Sequence, residues 1–181
     1  MATLKTPVTP EDHIQGPENA AATLVEYGDY ECPYCGQAYL IVKRVQKHFG
    51  KGLRFVFRNF PLSEIHPQAE SAAETAEFAG AHGKFWEMHD GLYENQGRLG
   101  APLYLELAQE LSLSHVELRQ GLEGKYKDRV RADFSSGVRS GVNGTPTFFI
   151  NGKRHDGSFD YESLVLAIEE ATGKPRKAIS A

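Results

Sequence analysis

The stretch TLVEYGDYECPYC, residues 23–35, runs from an apolar strand into a loop that delivers two cysteines to the start of a helix. Pro33 suits the first turn of a helix, where its missing N–H is not needed. Apolar residues then recur at helical spacing as far as Phe49, and the glycines that follow predict the helix end. We therefore expect Cys32 at or beside the N-cap, with Cys35 one turn further on.

These two cysteines are the only ones in the chain. The free amides and the positive dipole end at a helix start favour a thiolate, which lowers a cysteine pKa from about 8.5 into the range of about 3.5 to 7.5. Cys32 is therefore the predicted nucleophile, and Cys35 the thiol that resolves a mixed disulfide. The competing interpretations are half of a zinc site, an inert structural disulfide and two buried thiols. No second Cys or His pair at matched spacing supports zinc, so no metal is expected.

Composition favours one domain of 181 residues with a net charge of only −4. No run of Lys and Arg is longer than two residues, and no stretch approaches the roughly 18 apolar residues of a membrane span, so we expect neither nucleic acid nor membrane as a partner. Residues 1–20 lack the apolar core of a secretory signal, which predicts a cytoplasmic protein, or a periplasmic one if a leader has been trimmed away. In a reducing cytosol a cysteine pair is more often catalytic than structural.

The rest of the chain predicts an alternating architecture. Residues up to about 19 form a polar arm that we expect to be irregular. Residues 53–60 alternate as a second strand, which the crossover helix makes parallel to the first. Helical patterns follow, and Asn151-Gly152 then indicates a hairpin before a final helix capped by Asp160. The predicted units are an arm at 1–20, a sheet-bearing domain at 21–62 and 142–175, and an inserted helical subdomain at 63–141.

Glu26 is the one charged residue inside the first predicted strand, residues 22–27. A carboxyl group in a buried strand costs free energy unless it has a partner. It therefore lies either on a sheet edge or beneath the cysteines as a proton relay, and the sequence favours neither. His66, which precedes Pro67, is interpreted as a residue that starts a helix and not as a catalytic base.

Taken together, these motifs resemble the DsbA-like thiol-disulfide oxidoreductases of the thioredoxin superfamily. The resemblance spans about residues 12–172 and depends on three features: Cys32-Pro33-Tyr34-Cys35, the acidic Glu26 six residues earlier, and the segment GVNGTPTFFING at 141–152. It implies an α/β protein with a thioredoxin fold and an all-helical insertion between the β-α-β and β-β-α units.

The resemblance also implies roles for individual residues. Pro146 would be cis and pack against the disulfide, Cys32 would be the exposed nucleophile, and Glu26 would be a buried acid assisting proton transfer to Cys35. The Thr145 backbone would pair with an extended substrate. Pro33 and Tyr34 are the further candidate substrate-binding residues, and this Pro-Tyr dipeptide resembles glutaredoxins more than the Pro-His of the periplasmic oxidant.

The expected activity is disulfide exchange with proteins or small thiols, in a direction that the sequence leaves open. No cofactor is expected beyond the Cys32–Cys35 disulfide, with glutathione as a candidate co-substrate. The expected partners are thiol- or disulfide-containing proteins and a recycling redox partner. One alternative is a redox-independent chaperone or peptide-binding module, whose activity would survive replacement of both cysteines. The other is a glutathione-dependent transferase or isomerase, a class that usually lacks the complete Cys-x-x-Cys motif.

Overall fold

The computed structural model describes residues 2–173. Its strands are β1 (His13–Gln15), β2 (Ala22–Gly28), β3 (Leu53–Asn59), β4 (Thr147–Ile150) and β5 (Lys153–His155). Its helices are α1 (Pro33–Phe49), α2 (Ala69–Ala81), α3 (Phe85–Glu94), α4 (Ala101–Glu110), α5 (His115–Gln120), α6 (Lys127–Arg139) and α7 (Tyr161–Thr172). Within residues 2–173, no helix is both long and apolar enough to cross a membrane.

The five strands form one sheet in the order β1-β3-β2-β4-β5. Strand β2 lies at its centre, parallel to β3 with Leu24 opposite Phe55, and antiparallel to β4 with Glu26 opposite Phe148. Both faces of the sheet are covered, which explains why β2 is a nearly continuous apolar run and not a simple alternation. The predicted β-α-β and β-β-α units are therefore present, with helices α2 to α6 between them.

The N-terminal arm differs from the prediction. It was expected to be irregular, but residues 13–15 add β1 to the sheet, with Ile14 opposite Val56 of β3. The reason is a buried charge on β3: Arg58 binds Asp12 at 2.7 Å and donates to the carbonyl oxygens of Thr6 and Pro7 at 3.0 and 2.9 Å. The arm therefore provides the partners that a buried guanidinium requires.

The predicted hairpin turn and the predicted cap of the last helix are both present. Asn151 and Gly152 both have positive φ angles, of 47° and 80°, as the type I′ hairpin signal indicates. The Asp160 carboxylate accepts from the Ser163 N–H at 2.8 Å and caps α7. Helix α5 ends at Gln120, and the chain then turns through residues 121–125, where Gly124 has a φ of 112°.

The architecture confirms the predicted thioredoxin fold with an all-helical insertion. The domain boundaries at residues 20, 62, 141 and 175 stay a prediction, and residues 174 and 175 lie outside the described part of the chain. The end of β2, the start of α1 and the loop before β4 therefore meet at one end of the central strands, where the site lies.

Candidate active site

The two cysteines lie at the start of α1, where the sequence places them. Cys32 is the N-cap residue, with φ −69° and ψ 120°, and Pro33 is the first residue of the helix. The N–H of Gly36 donates to the Cys32 carbonyl at 3.1 Å. Cys35 is on the buried side of the helix, where its Sγ accepts from the Asp29 N–H at 3.5 Å. Both cysteines are free thiols in this structure.

The environment lowers the pKa of Cys32 and raises the pKa of Cys35. The pKa of Cys32 is lowered to about 5, mainly because the Cys35 side chain donates a hydrogen bond to the thiolate; burial opposes this effect, and Thr145 and the backbone N–H groups of Cys35 and Tyr34 lower the pKa further. The pKa of Cys35 is raised well above its ordinary value by burial, by its hydrogen bond to Cys32 and by the nearby Glu26. At neutral pH the pair is one thiolate beside one thiol.

Access to the nucleophile is narrower than the resemblance implies. Cys32 is only 4% exposed, so the expectation of an exposed cysteine is wrong for this structure. Its Sγ lies 3.4 Å from the Thr145 carbonyl oxygen and beside Cys35, and these neighbours cover it. Pro33 and Tyr34 project outward instead, and Tyr34 is 61% exposed. A substrate sulfur must therefore approach Cys32 past this exposed dipeptide and the Thr145 loop.

The Thr145 loop precedes β4 and faces the cysteines. The Thr145–Pro146 peptide bond is cis, as the resemblance implies. Thr145 and Pro146 are both half-buried, and the Thr147 hydroxyl donates to the Gly144 carbonyl at 2.7 Å, which ties the loop to the strand. The loop is therefore held in place with the Thr145 carbonyl oxygen toward the sulfur of Cys32.

Glu26 lies inside the sheet and not at its edge. It belongs to β2, between β3 and β4, so the edge-strand alternative is wrong. It is 2% exposed, and its Oε1 has no hydrogen-bond partner among residues 2–173. Burial, together with the negative charge of Cys32, raises its pKa to about 8. Glu26 is thus a mostly protonated acid at pH 7, electrostatically coupled to both cysteines.

Asp29, His66 and Gln96 hold the active-site loop by hydrogen bonds that were not predicted from the sequence. The buried Asp29 accepts from the N–H groups of Glu31 and Leu62, at 2.8 and 2.9 Å, and hydrogen-bonds with His66 Nδ1 at 2.7 Å. The Gln96 amide donates to the carbonyl groups of Tyr30 and Cys32, at 2.8 Å each. An aspartate after a strand is a weak signal for such a turn. For Gln96, 64 residues from Cys32, no local signal exists.

Across residues 2–173, no three His, Cys, Asp or Glu side chains are grouped so that they could hold an ion.

Comparison with known proteins places this site in a family. The family model described as thioredoxin matches residues 8–170. The chain belongs to the thioredoxin family. This thioredoxin-family chain superposes on BdbD from Bacillus subtilis with a TM-score of 0.85, 24% identity, and coverage of 95% of this chain and 98% of that one. A thioredoxin-like oxidoreductase from Silicibacter pomeroyi matches with a TM-score of 0.80 and 25% identity, over 92% and 95% of the two chains. The DsbA-like architecture expected from the resemblance is confirmed.

Curated relatives of this thioredoxin-family protein include larger proteins. The Na(+)/H(+) antiporter NhaA 1 of Salinispora arenicola is 45% identical over 170 residues, which are 93% of this chain. Those residues are 26% of the antiporter, so the chain spans about a quarter of the length of the curated relatives it matches.

Proposed function

We propose that this thioredoxin-family chain exchanges disulfides with proteins or small thiols through Cys32 and Cys35. The observation that supports this most strongly is that the pKa values of the two adjacent thiols are shifted in opposite directions. Cys32, with a pKa of about 5, is a thiolate at neutral pH and therefore both a nucleophile and a leaving group, whereas Cys35 stays protonated until the resolving step. An inert structural pair would not need this asymmetry. Ion transport is not part of this function, because the chain corresponds to only about a quarter of the antiporters' length.

The reaction has two thiol-exchange steps. When a substrate is reduced, the Cys32 thiolate attacks a substrate sulfur, a mixed disulfide forms, and the other substrate sulfur leaves as a thiolate. Cys35 then loses its proton to the ionised form of Glu26, a minority at pH 7, and attacks Cys32, which forms the Cys32–Cys35 disulfide and releases the second substrate thiolate. When a substrate is oxidised, the same steps run in reverse, and Glu26 returns the proton to the departing Cys35.

The acidity of these groups favours the oxidising direction. With a pKa of about 8, Glu26 is roughly 90% protonated at pH 7, which suits the donation of a proton to the departing Cys35 thiolate. The stable Cys32 thiolate also favours the reduced enzyme over the disulfide, which raises the reduction potential. In a reducing cytosol the pair would nevertheless stay largely reduced, so the compartment decides the net direction. The cytoplasmic location stays a prediction.

Substrate binding would use the surface around Cys32. We propose that an extended substrate segment pairs with the Thr145 backbone beside Pro146, and that Pro33 and Tyr34 contact its flank. The glutathione co-substrate and the recycling redox partner are part of the proposal, because each turnover leaves the cysteine pair in the redox state opposite to the one that started it.

The test is to trap the intermediate. A Cys35→Ser variant keeps the attacking thiol and lacks the resolving one, so it should accumulate proteins in mixed disulfides with Cys32 that dithiothreitol releases. A Cys32→Ser variant, which lacks the nucleophile, is the matched control and should trap none. Equal trapping by both variants, or none by Cys35→Ser together with full activity of the double variant, would refute the proposal and favour the chaperone alternative.

A further inference from the structure

Tyr93, on helix α3 of the insertion, has a buried hydroxyl group that lacks a hydrogen-bond partner among residues 2–173. The residue is 6% exposed, and its hydroxyl makes no hydrogen bond with any of residues 2–173. Its aromatic neighbours differ: the Tyr30 hydroxyl hydrogen-bonds with His89 Nδ1 at 3.0 Å, and the Tyr39 hydroxyl donates to Glu94 at 3.0 Å. An unpaired polar group in a protein interior costs free energy and calls for an explanation.

The hydroxyl lies over the end of strand β2, where the strand has no side chain. A Cβ atom built on Gly28 would lie 3.1 Å from it. Because side chains alternate along a strand, Gly28 and Glu26 face the same side of the sheet, so the hydroxyl and the Glu26 side chain lie on the same face. Tyr93 and Glu26 also line one small cavity of about 10 Å³. Glu26 Oε1 is likewise a buried polar atom without a hydrogen-bond partner in residues 2–173.

Cys35 completes the arrangement. Its Sγ accepts from the N–H of Asp29, the residue after Gly28, and Cys35 belongs to the same buried cluster as Tyr93. The negative charges of Cys35 and Glu26 both raise the pKa of Tyr93, after the larger effect of burial, which agrees with their proximity. Through Gly28 and Asp29 the hydroxyl therefore lies near the two groups that exchange a proton in the proposed reaction, although it hydrogen-bonds with neither in this structure.

We infer that Tyr93 is a positioning residue for the resolving step, in which its hydroxyl donates a hydrogen bond to whichever of the Cys35 thiolate and the Glu26 carboxylate carries the negative charge. This inference rests on the proposed function. In that step Cys35 transfers its proton to Glu26, the Cys35 sulfur bonds to the Cys32 sulfur, and the bond from Cys32 to the substrate sulfur breaks, so the substrate leaves as a thiolate. The Tyr93 proton stays on its oxygen throughout.

The other titratable groups around the cavity are engaged elsewhere or uncharged. Lys43 of α1 binds Asp90 of α3 at 2.7 Å. His89, also on α3, stays neutral because burial lowers its pKa well below the ordinary value. Tyr39 of α1 donates to Glu94, and no cysteine contributes to the shift of its pKa. Tyr39 is therefore a suitable control: its hydroxyl belongs to the same aromatic cluster but points to a different partner.

The test compares Tyr93→Phe with Tyr39→Phe in the reaction of the reduced protein with oxidised glutathione. Acid quenching and mass spectrometry follow two species in time, the Cys32–glutathione adduct and the internal disulfide. Adduct formation should proceed at the wild-type rate in both variants. Resolution should be about tenfold slower in Tyr93→Phe, with its pH midpoint about one unit higher, because an anion in the buried pair loses a hydrogen-bond donor. Tyr39→Phe should stay within about twofold of the wild type.

A structural role would give a different pattern. Because the Tyr93 hydroxyl is unpaired in the reduced protein, Tyr93→Phe should unfold thermally at the wild-type temperature or above it. Resolution within twofold of the wild type at every pH, or equal slowing in both variants, would overturn the inference. Failure of the proposed function is separately visible, because the wild-type protein would then form neither the adduct nor the internal disulfide.

Discussion

The hydrogen bond from Cys35 to the Cys32 thiolate is the largest cause of the low pKa of Cys32, and its removal is a direct test of the site. Cys35→Ala removes the donor, whereas Cys35→Ser keeps a hydroxyl donor at the same position. A hydrogen bond to a charged group contributes about 1.5 to 3 kcal/mol, which corresponds to roughly one to two pKa units. The pKa of Cys32 should therefore rise from about 5 to roughly 6 or 7 in Cys35→Ala. It should change much less in Cys35→Ser.

The assay is the rate of Cys32 alkylation by iodoacetamide as a function of pH, with thiolate absorbance as a second readout. At pH 5.5 the thiolate fraction falls from about 75% to between about 3 and 25%, so Cys35→Ala should react roughly three to 25 times more slowly. Above pH 8.5 the rates should converge, because Cys32 is fully ionised in all three proteins. A midpoint of Cys35→Ala within 0.3 units of the wild type would show that the helix start and not Cys35 sets the acidity. An equal rise in Cys35→Ser would show that hydrogen-bond donation by residue 35 is not the cause.

Three further changes test other parts of the structure. Burial raises the pKa of Glu26 to about 8, so the wild-type protein loses stability as the pH rises from about 4.5 to 8 and this carboxyl group ionises. Reduced Glu26→Gln cannot ionise, so its stability relative to the wild type in thermal unfolding should grow over this pH range, by at most about 5 kcal/mol. A difference that does not change with pH would contradict the burial of Glu26. Asp12→Ala should lower the free energy of unfolding measured in urea by roughly 3 to 5 kcal/mol, because Arg58 stays buried without its partner. Glu11→Ala, at an exposed neighbouring position, should change it little, and equal effects would mean that the Asp12–Arg58 pair does not hold the arm. Tyr34→Ala should raise the KM for a protein disulfide about five- to tenfold and leave the rate of Cys32 alkylation unchanged. The control Val116→Ala, at an equally exposed position on α5, should change neither quantity. An unchanged KM for Tyr34→Ala would mean that Tyr34 does not contact the substrate.

Local signals predicted the elements around the cysteines well. Pro33 at the helix start and Gly50 after Phe49 bound α1 at the residues that the structure gives. The Asp160 carboxylate caps α7 as predicted. Each of these signals acts over three or four residues, so the sequence contains it in full.

What the sequence did not show depends on long-range contacts. Strand β1 has three residues, too few for a periodic pattern, and the Asp12–Arg58 pair that anchors the arm joins residues 46 positions apart. Glu26 was ambiguous because strand order, which decides between edge and centre, is not written in the strand itself. The covering of Cys32 by Thr145 joins positions 113 residues apart, so the motif alone suggested more exposure than the fold permits.

The most direct test of the central claim is the equilibrium of the wild-type protein with glutathione redox buffers, followed by alkylation and mass spectrometry. A reversible internal disulfide between Cys32 and Cys35 should form, with a potential between about −120 and −270 mV, the range from DsbA to thioredoxin. Cysteines that stay reduced at every glutathione ratio, or that carry glutathione without ever forming the internal disulfide, would contradict the account.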